Sequence, residues 1–174
     1  ATGQRQLPTP LDFAALDDLG GELLDTDATV SATHRFADDG AFPVDVVLKG
    51  SVAGEVTHRV ASANVTNRSP ELTVQNRSAI AGQPLTIIDV GVLTDPGFAN
   101  PQTDPPSAET FTYSIDWGDG GNLDMGTATI DRQGNATGVW TAASFDASHT
   151  YQEPGNKTVV VRVQDDDGGT DEES

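Results

Sequence analysis

The chain has 174 residues, of which 36% are hydrophobic and 6% aromatic, and its 9 basic and 27 acidic side chains give a formal net charge of −18. This charge disfavours binding to nucleic acids and to anionic membranes, because both require a cationic surface. The absence of cysteine excludes disulfides, thiol catalysis and thiolate metal sites. No apolar run is long enough to predict a transmembrane helix. The composition therefore favours an acidic, β-rich binding or structural protein.

The first segment with a recognisable pattern is a helix candidate. Thr9 suits the capping position, Pro10 suits the first helical position, and Leu11 to Leu19 precede a Gly-Gly stop. The alternative interpretation of the same residues is a strand followed by a turn, and the pattern leaves both open.

Most of the remaining pattern indicates short strands. Clusters of Gly, Pro and Asp separate segments in which apolar residues occur at every second position, which is typical of half-buried strands. In chain order the strand candidates are Leu72–Val74, Leu85–Ile88, Thr110–Trp117, Thr127–Ile130, Gly138–Thr141 and Thr158–Gln164. Their close spacing favours a β-sandwich.

An internal repeat indicates tandem organisation. His34–Val46 aligns without a gap with His149–Val161, at an offset of 115 residues. The alignment predicts two units: residues 1–67, a partial unit that corresponds to the back half of a repeat, and residues 68–174, a sandwich that lacks its final strand.

The motif Asp116-Trp117-Gly118-Asp119-Gly120, followed by His149–Gly155 and a valine-rich strand that ends at Asp165, resembles the polycystic kidney disease (PKD) domain family. The resemblance covers residues 69–174, and a weaker similarity that lacks the Trp-Gly-Asp-Gly element covers residues 25–67. It implies an all-β, immunoglobulin-like sandwich that occurs in tandem in extracellular and cell-surface proteins. It also implies a role in spacing or adhesion rather than catalysis.

The residues predict a structural core and no catalytic site. Trp117, Tyr151 and Val161 are the predicted core residues, because large apolar side chains supply much of the contact between two thin sheets. The chain has no nucleophile elbow, phosphate-binding loop or His-Glu-x-x-His motif. The carboxylate pair of Asp116 and Asp119 lies in the predicted structural turn, so we expect no enzyme activity.

Acidic loops are the one plausible source of binding chemistry. In an immunoglobulin-like sandwich the start of the first strand and two later loops meet at the end that faces the preceding unit. Calcium accepts six to eight oxygen ligands in flexible geometry. The predicted ligands are Asn67, Asp95, Asp104, Asp165, Asp166 and Asp167. The alternative is a solvated acidic turn that binds no ion.

Five Asn-x-Ser/Thr triplets are candidate glycosylation sites. They begin at Asn64, Asn67, Asn76, Asn135 and Asn156. The alternative is that Thr-rich strands and Asn-rich turns produce such triplets incidentally.

The sequence therefore predicts a non-catalytic structural or adhesive module of a cell-surface protein or filament, with calcium stiffening the junction between units. The expected partners are neighbouring repeats, other copies of the chain, or a surface polysaccharide or protein. One alternative is a carbohydrate- or protein-binding accessory module of a larger secreted enzyme, with Trp140 as the candidate platform. A second is an assembly subunit that receives its missing strand from a neighbour.

Overall fold

The computed structural model describes residues 31–49, 55–102 and 106–174, and its elements are all strands. In chain order they are β1 (Gly40–Lys49), β2 (Glu55–Val65), β3 (Glu71–Val74), β4 (Leu85–Asp95), β5 (Phe111–Asp116), β6 (Asp124–Thr127), β7 (Thr129–Arg132), β8 (Thr141–His149), β9 (Val160–Asp165) and β10 (Thr170–Glu173). The helix predicted at residues 10–19 lies outside the described residues.

The eight strands from β3 onward form two antiparallel sheets. The first sheet has the order β3-β4-β8-β7 and the second has the order β10-β9-β5-β6. Both contribute to one buried apolar cluster, Leu93 and Phe145 from the first sheet and Phe111, Ile115 and Val163 from the second. The predicted β-sandwich character is therefore confirmed for this part of the chain.

The predicted core residues lie inside this cluster. Trp117, Tyr151 and Val161 are all buried. Burial follows the period of two: in β5, Phe111 and Ile115 are buried, whereas Thr112 is exposed. Strand sequence thus determines which side chains fill the space between the sheets.

The hairpin β1–β2 forms a separate two-stranded sheet. It repeats the register of the hairpin β9–β10: Lys49 pairs with Glu55, and 115 positions later Gln164 pairs with Thr170. The three further pairs of the β9–β10 ladder match pairs of the first hairpin in the same way. The internal repeat in the sequence therefore corresponds to a repeated hairpin in the structure.

The division of the chain differs from the predicted boundary at residue 67. Residues Phe36–Ser174 group as one compact unit, separate from Ala1–Arg35, so the first hairpin groups with the sandwich. The boundary between two repeats at residues 67 and 68 stays a prediction.

At the other end of the chain, β10 pairs with β9 through Thr170–Glu173. A short strand therefore lies where the sequence predicted the final strand to be missing. Among the described residues, no helix has the length and apolarity needed to cross a membrane.

Candidate functional site

One end of the sandwich collects carboxylates from three strand ends and their loops. We call this group the acidic end, and its members are Asp38, Asp39, Asp95, Glu109, Asp165, Asp166 and Asp167. Asp95 ends β4, Asp165 ends β9, and Glu109 lies two residues before β5. The backbone N–H of Phe98 donates to the carbonyl oxygen of Ala37 at 3.0 Å, which holds the segment before β1 against the loop after β4.

Asp165 builds the turn between β9 and β10. Its Oδ1 accepts hydrogen bonds from the backbone N–H groups of Asp167 (3.1 Å) and Gly169 (2.6 Å). Its Oδ2 accepts a hydrogen bond from Asn67 Nδ2 at 2.9 Å. A carboxylate that satisfies neighbouring amides in this way fixes a tight turn. Two of the predicted calcium ligands, Asn67 and Asp165, therefore contact each other.

Asp95 is more deeply buried, at 3% exposure. Its Oδ1 accepts a hydrogen bond from the backbone N–H of Gly97 at 2.6 Å, whereas its Oδ2 has no hydrogen-bond partner among the residues that the structure describes. Burial raises the pKa of Asp95 to about 6; repulsion from Asp165 and Asp166 adds to this effect, and the Gly97 hydrogen bond opposes it.

Glu109 lies next to Asp95 and was missed by the sequence interpretation. A Cβ on Gly97 would overlap Glu109 Oε1 and would lie 2.9 Å from Asp95 Oδ1, so the two carboxylates flank the same point. Burial raises the pKa of Glu109 to about 8, with further repulsion from Asp95, Asp166 and other acids of the acidic end. The sequence pattern could have indicated Glu109, because it lies two positions before Phe111 and therefore on the same, inward face of the strand.

A second group of carboxylates lies at the exposed side of the acidic end. Oxygens of Asp38, Asp39 and Asp167 all lie within 4.8 Å of one another, an arrangement that could hold a metal ion. Desolvation and repulsion from Asp38 and Asp39 raise the pKa of Asp167 to about 7. The sequence interpretation included Asp167 but neither Asp38 nor Asp39. We call these three residues the outer triad.

Of the other predicted ligands, Asp166 belongs to the acidic end and Asp104 lies outside the described residues. Asp166 Oδ1 accepts a hydrogen bond from the backbone N–H of Thr110 at 3.1 Å. This bond places Asp166 beside the segment that carries Glu109.

The Trp-Gly-Asp-Gly motif forms a separate polar contact network. Trp117 Nε1 donates to Asp124 Oδ2 at 2.7 Å, and the Trp117 ring stacks on His149 with centroids 4.8 Å apart. His149 Nε2 lies 2.7 Å from Asp119 Oδ2, and this hydrogen bond lowers the pKa of Asp119. Tyr151 Oη donates to the Trp117 carbonyl oxygen at 3.2 Å. These contacts anchor the turn after β5 to the end of β8.

Trp140, the candidate binding platform, is half-buried, and the guanidinium of Arg68 lies 5.0 Å from its ring centroid. One face of the ring is thus covered by a cation–π contact. The asparagines of all five glycosylation triplets are exposed. Asn67 differs from the others because its amide nitrogen, the atom that would carry a glycan, already donates to Asp165.

Comparisons with models of protein families, with curated proteins and with solved structures find no match to this chain.

Proposed function

We propose that the chain is a non-catalytic segment of a tandem array of PKD-like, immunoglobulin-like sandwiches. The array serves as a spacer or adhesive module of an extracellular surface protein or filament. The observation that carries the proposal is the repeated hairpin: β1–β2 and β9–β10 share one register at an offset of 115 residues. Repetition of one supersecondary unit is the mark of an array.

Calcium is the ion we propose for the outer triad. Clustered carboxylates supply the hard oxygen ligands that Ca²⁺ prefers. Asp38 and Asp39 precede the first hairpin, whereas Asp167 belongs to the turn after β9. An ion bound to all three connects the first hairpin to the sandwich and restricts movement at that junction.

Two observations disfavour the alternative functions. The Arg68 contact covers one face of the half-buried Trp140 ring, which reduces the aromatic surface that a sugar-binding platform would use. The pairing of β10 with β9 covers the edge at Val161–Gln164, so strand addition from a neighbour would have to use the short strand β10, which forms the edge of this sheet.

Single-molecule pulling of the full chain tests the mechanical proposal. Unfolding of the sandwich, residues 68–174, is expected to release about 36 nm of chain, at ~3.4 Å per residue. The force needed to detach the first hairpin from the sandwich is expected to rise in millimolar Ca²⁺, and the double variant Asp38→Asn/Asp39→Asn is expected to lose this rise. Asp131→Asn, an exposed carboxylate on β7, is the matched control. Rupture without measurable resistance would contradict the spacer function, and a force independent of Ca²⁺ would contradict the calcium junction.

A further inference from the structure

Asp95 and Glu109 form a pair of buried carboxylates, and neither makes a salt bridge among the residues that the structure describes, although the charge of Arg68 favours the ionised form of Asp95. Glu109 is only 8% exposed, and both carboxylates flank the same point beside Gly97. Asp95 Oδ2 is the one fully buried side-chain oxygen in the described part of the chain that lacks a hydrogen bond. Burying a charged carboxylate without a partner is strongly unfavourable.

Two ligands can relieve this repulsion, a proton or a cation. A single shared proton neutralises one of the two charges and leaves Asp166, held beside Thr110, as a further negative charge that acts on both groups. A divalent cation neutralises two charges at once and gives Asp95 Oδ2 the partner that it lacks. Carboxylate oxygens favour a hard ion such as Ca²⁺.

We propose that a divalent cation binds between Asp95 and Glu109, at an inner site distinct from the outer triad. The inference rests on the proposed function in one respect, namely that calcium is the ion proposed for both sites. The unpartnered, buried Oδ2 of Asp95 distinguishes the inner site from an ordinary acidic surface.

The inner site joins the two sheets. Asp95 ends β4, which belongs to the first sheet, and Glu109 leads into β5, which belongs to the second. An ion bound to both therefore holds the sheets together at the acidic end, whereas an ion at the outer triad attaches the hairpin. The two ions have different mechanical tasks.

Equilibrium dialysis with Ca²⁺ alone, at pH 8.5, measures the number of bound ions. The full chain is expected to bind two. Glu109→Gln, which removes one charge and retains the shape of the side chain, is expected to bind one. Asp38→Asn/Asp39→Asn is also expected to bind one, because it empties only the outer triad. Glu153→Gln, an exposed residue before β9, is the control and is expected to bind two.

The outcomes separate the two proposals. A single ion that Glu109→Gln retains and the double variant loses overturns the inner site and leaves the calcium junction intact. A single ion that only Glu109→Gln loses supports the inner site and contradicts the outer one. Binding of no ion by the full chain overturns both. If circular dichroism shows that Glu109→Gln does not fold, Asp95→Asn replaces it with the same expected count.

Discussion

Replacing Glu109 with Gln has opposite expected effects on stability with and without metal. In chelator, wild-type Glu109 must be protonated or buried as an unneutralised charge. Its pKa rises from 4.5 in the unfolded chain to about 8 in the folded protein. A carboxyl group whose folded pKa is raised contributes stability that is present below pH 4.5 and is lost as the pH rises through about 8.

The size of the effect follows from this shift. At pH 7 Glu109 has released its proton in the unfolded chain but retains it in the folded protein. Because pH 7 lies 2.5 units above the unfolded pKa of 4.5, this difference lowers the free energy of unfolding by about 3 kcal/mol. Because the charge of Asp95 interacts with Glu109, part of this free energy belongs to the pair and not to Glu109 alone. We therefore expect Glu109→Gln to be more stable than wild type by about 1–3 kcal/mol in chelator at pH 7.

Urea denaturation, followed by the fluorescence of Trp117 and Trp140, measures this difference between pH 5 and pH 8. The advantage of Glu109→Gln is expected to grow with pH in chelator. In saturating Ca²⁺ it is expected to shrink or reverse, because the variant has lost a ligand. Glu153→Gln is expected to match wild type within about 0.5 kcal/mol. A Glu109→Gln protein no more stable than wild type in chelator would refute the reasoning.

Two further predictions concern the Trp-Gly-Asp-Gly turn. Gly118 has φ +70°, and a Cβ there would overlap the carbonyl oxygen of Thr158, whereas Gly120 has φ +81° and open space around it. In thermal melts Gly118→Ala is therefore expected to lose at least 2 kcal/mol more stability than Gly120→Ala, which loses about 1 kcal/mol from backbone strain alone. Equal losses would contradict a close contact between this turn and the segment before β9. The hydrogen bond with His149 lowers the pKa of Asp119, so this contact contributes stability that is present above pH 3.8 and is lost as the pH falls through the folded pKa. Acid titration of Asp119→Asn is therefore expected to show a smaller loss of stability below pH 4 than that of wild type or of the exposed control Asp131→Asn. An unchanged titration would contradict the contribution of this contact.

The strands were largely predictable, because the alternation of apolar and polar residues along a strand follows the alternation of buried and exposed positions. Thr110–Trp117 and Thr158–Gln164 correspond to β5 and β9. The predicted strand Thr127–Ile130 is interrupted at Ala128, whose backbone N–H donates to the carbonyl oxygen of Phe111 in place of a ladder partner. The prediction for Gly138–Trp140 was wrong, because β8 begins only at Thr141.

The acidic end was predicted only in part, because its members come together through the fold. The motif search found Asp165 and Asp167 as a visible run of carboxylates. It missed Glu109, an isolated acid whose position is meaningful only because it continues the inward face of β5. Asp38 belongs to the other repeat in the alignment, so no pattern within residues 68–174 indicates its proximity to Asp167.

The strand pairing also orders the events of folding. The β1–β2 and β9–β10 hairpins connect residues that are near in sequence, whereas β4 and β8 join positions as distant as Leu85 and His149. Closing such distant pairs is slow compared with hairpin formation, because the chain loses loop entropy before contacts compensate for it. We expect the carboxylates of Asp38 and Asp167, which are distant in sequence and adjacent in the structure, to come together late in folding. An ion that requires all three carboxylates of the outer triad would therefore bind late in folding. Such an ion slows unfolding more than it speeds folding, and so prolongs the lifetime of the folded state under load.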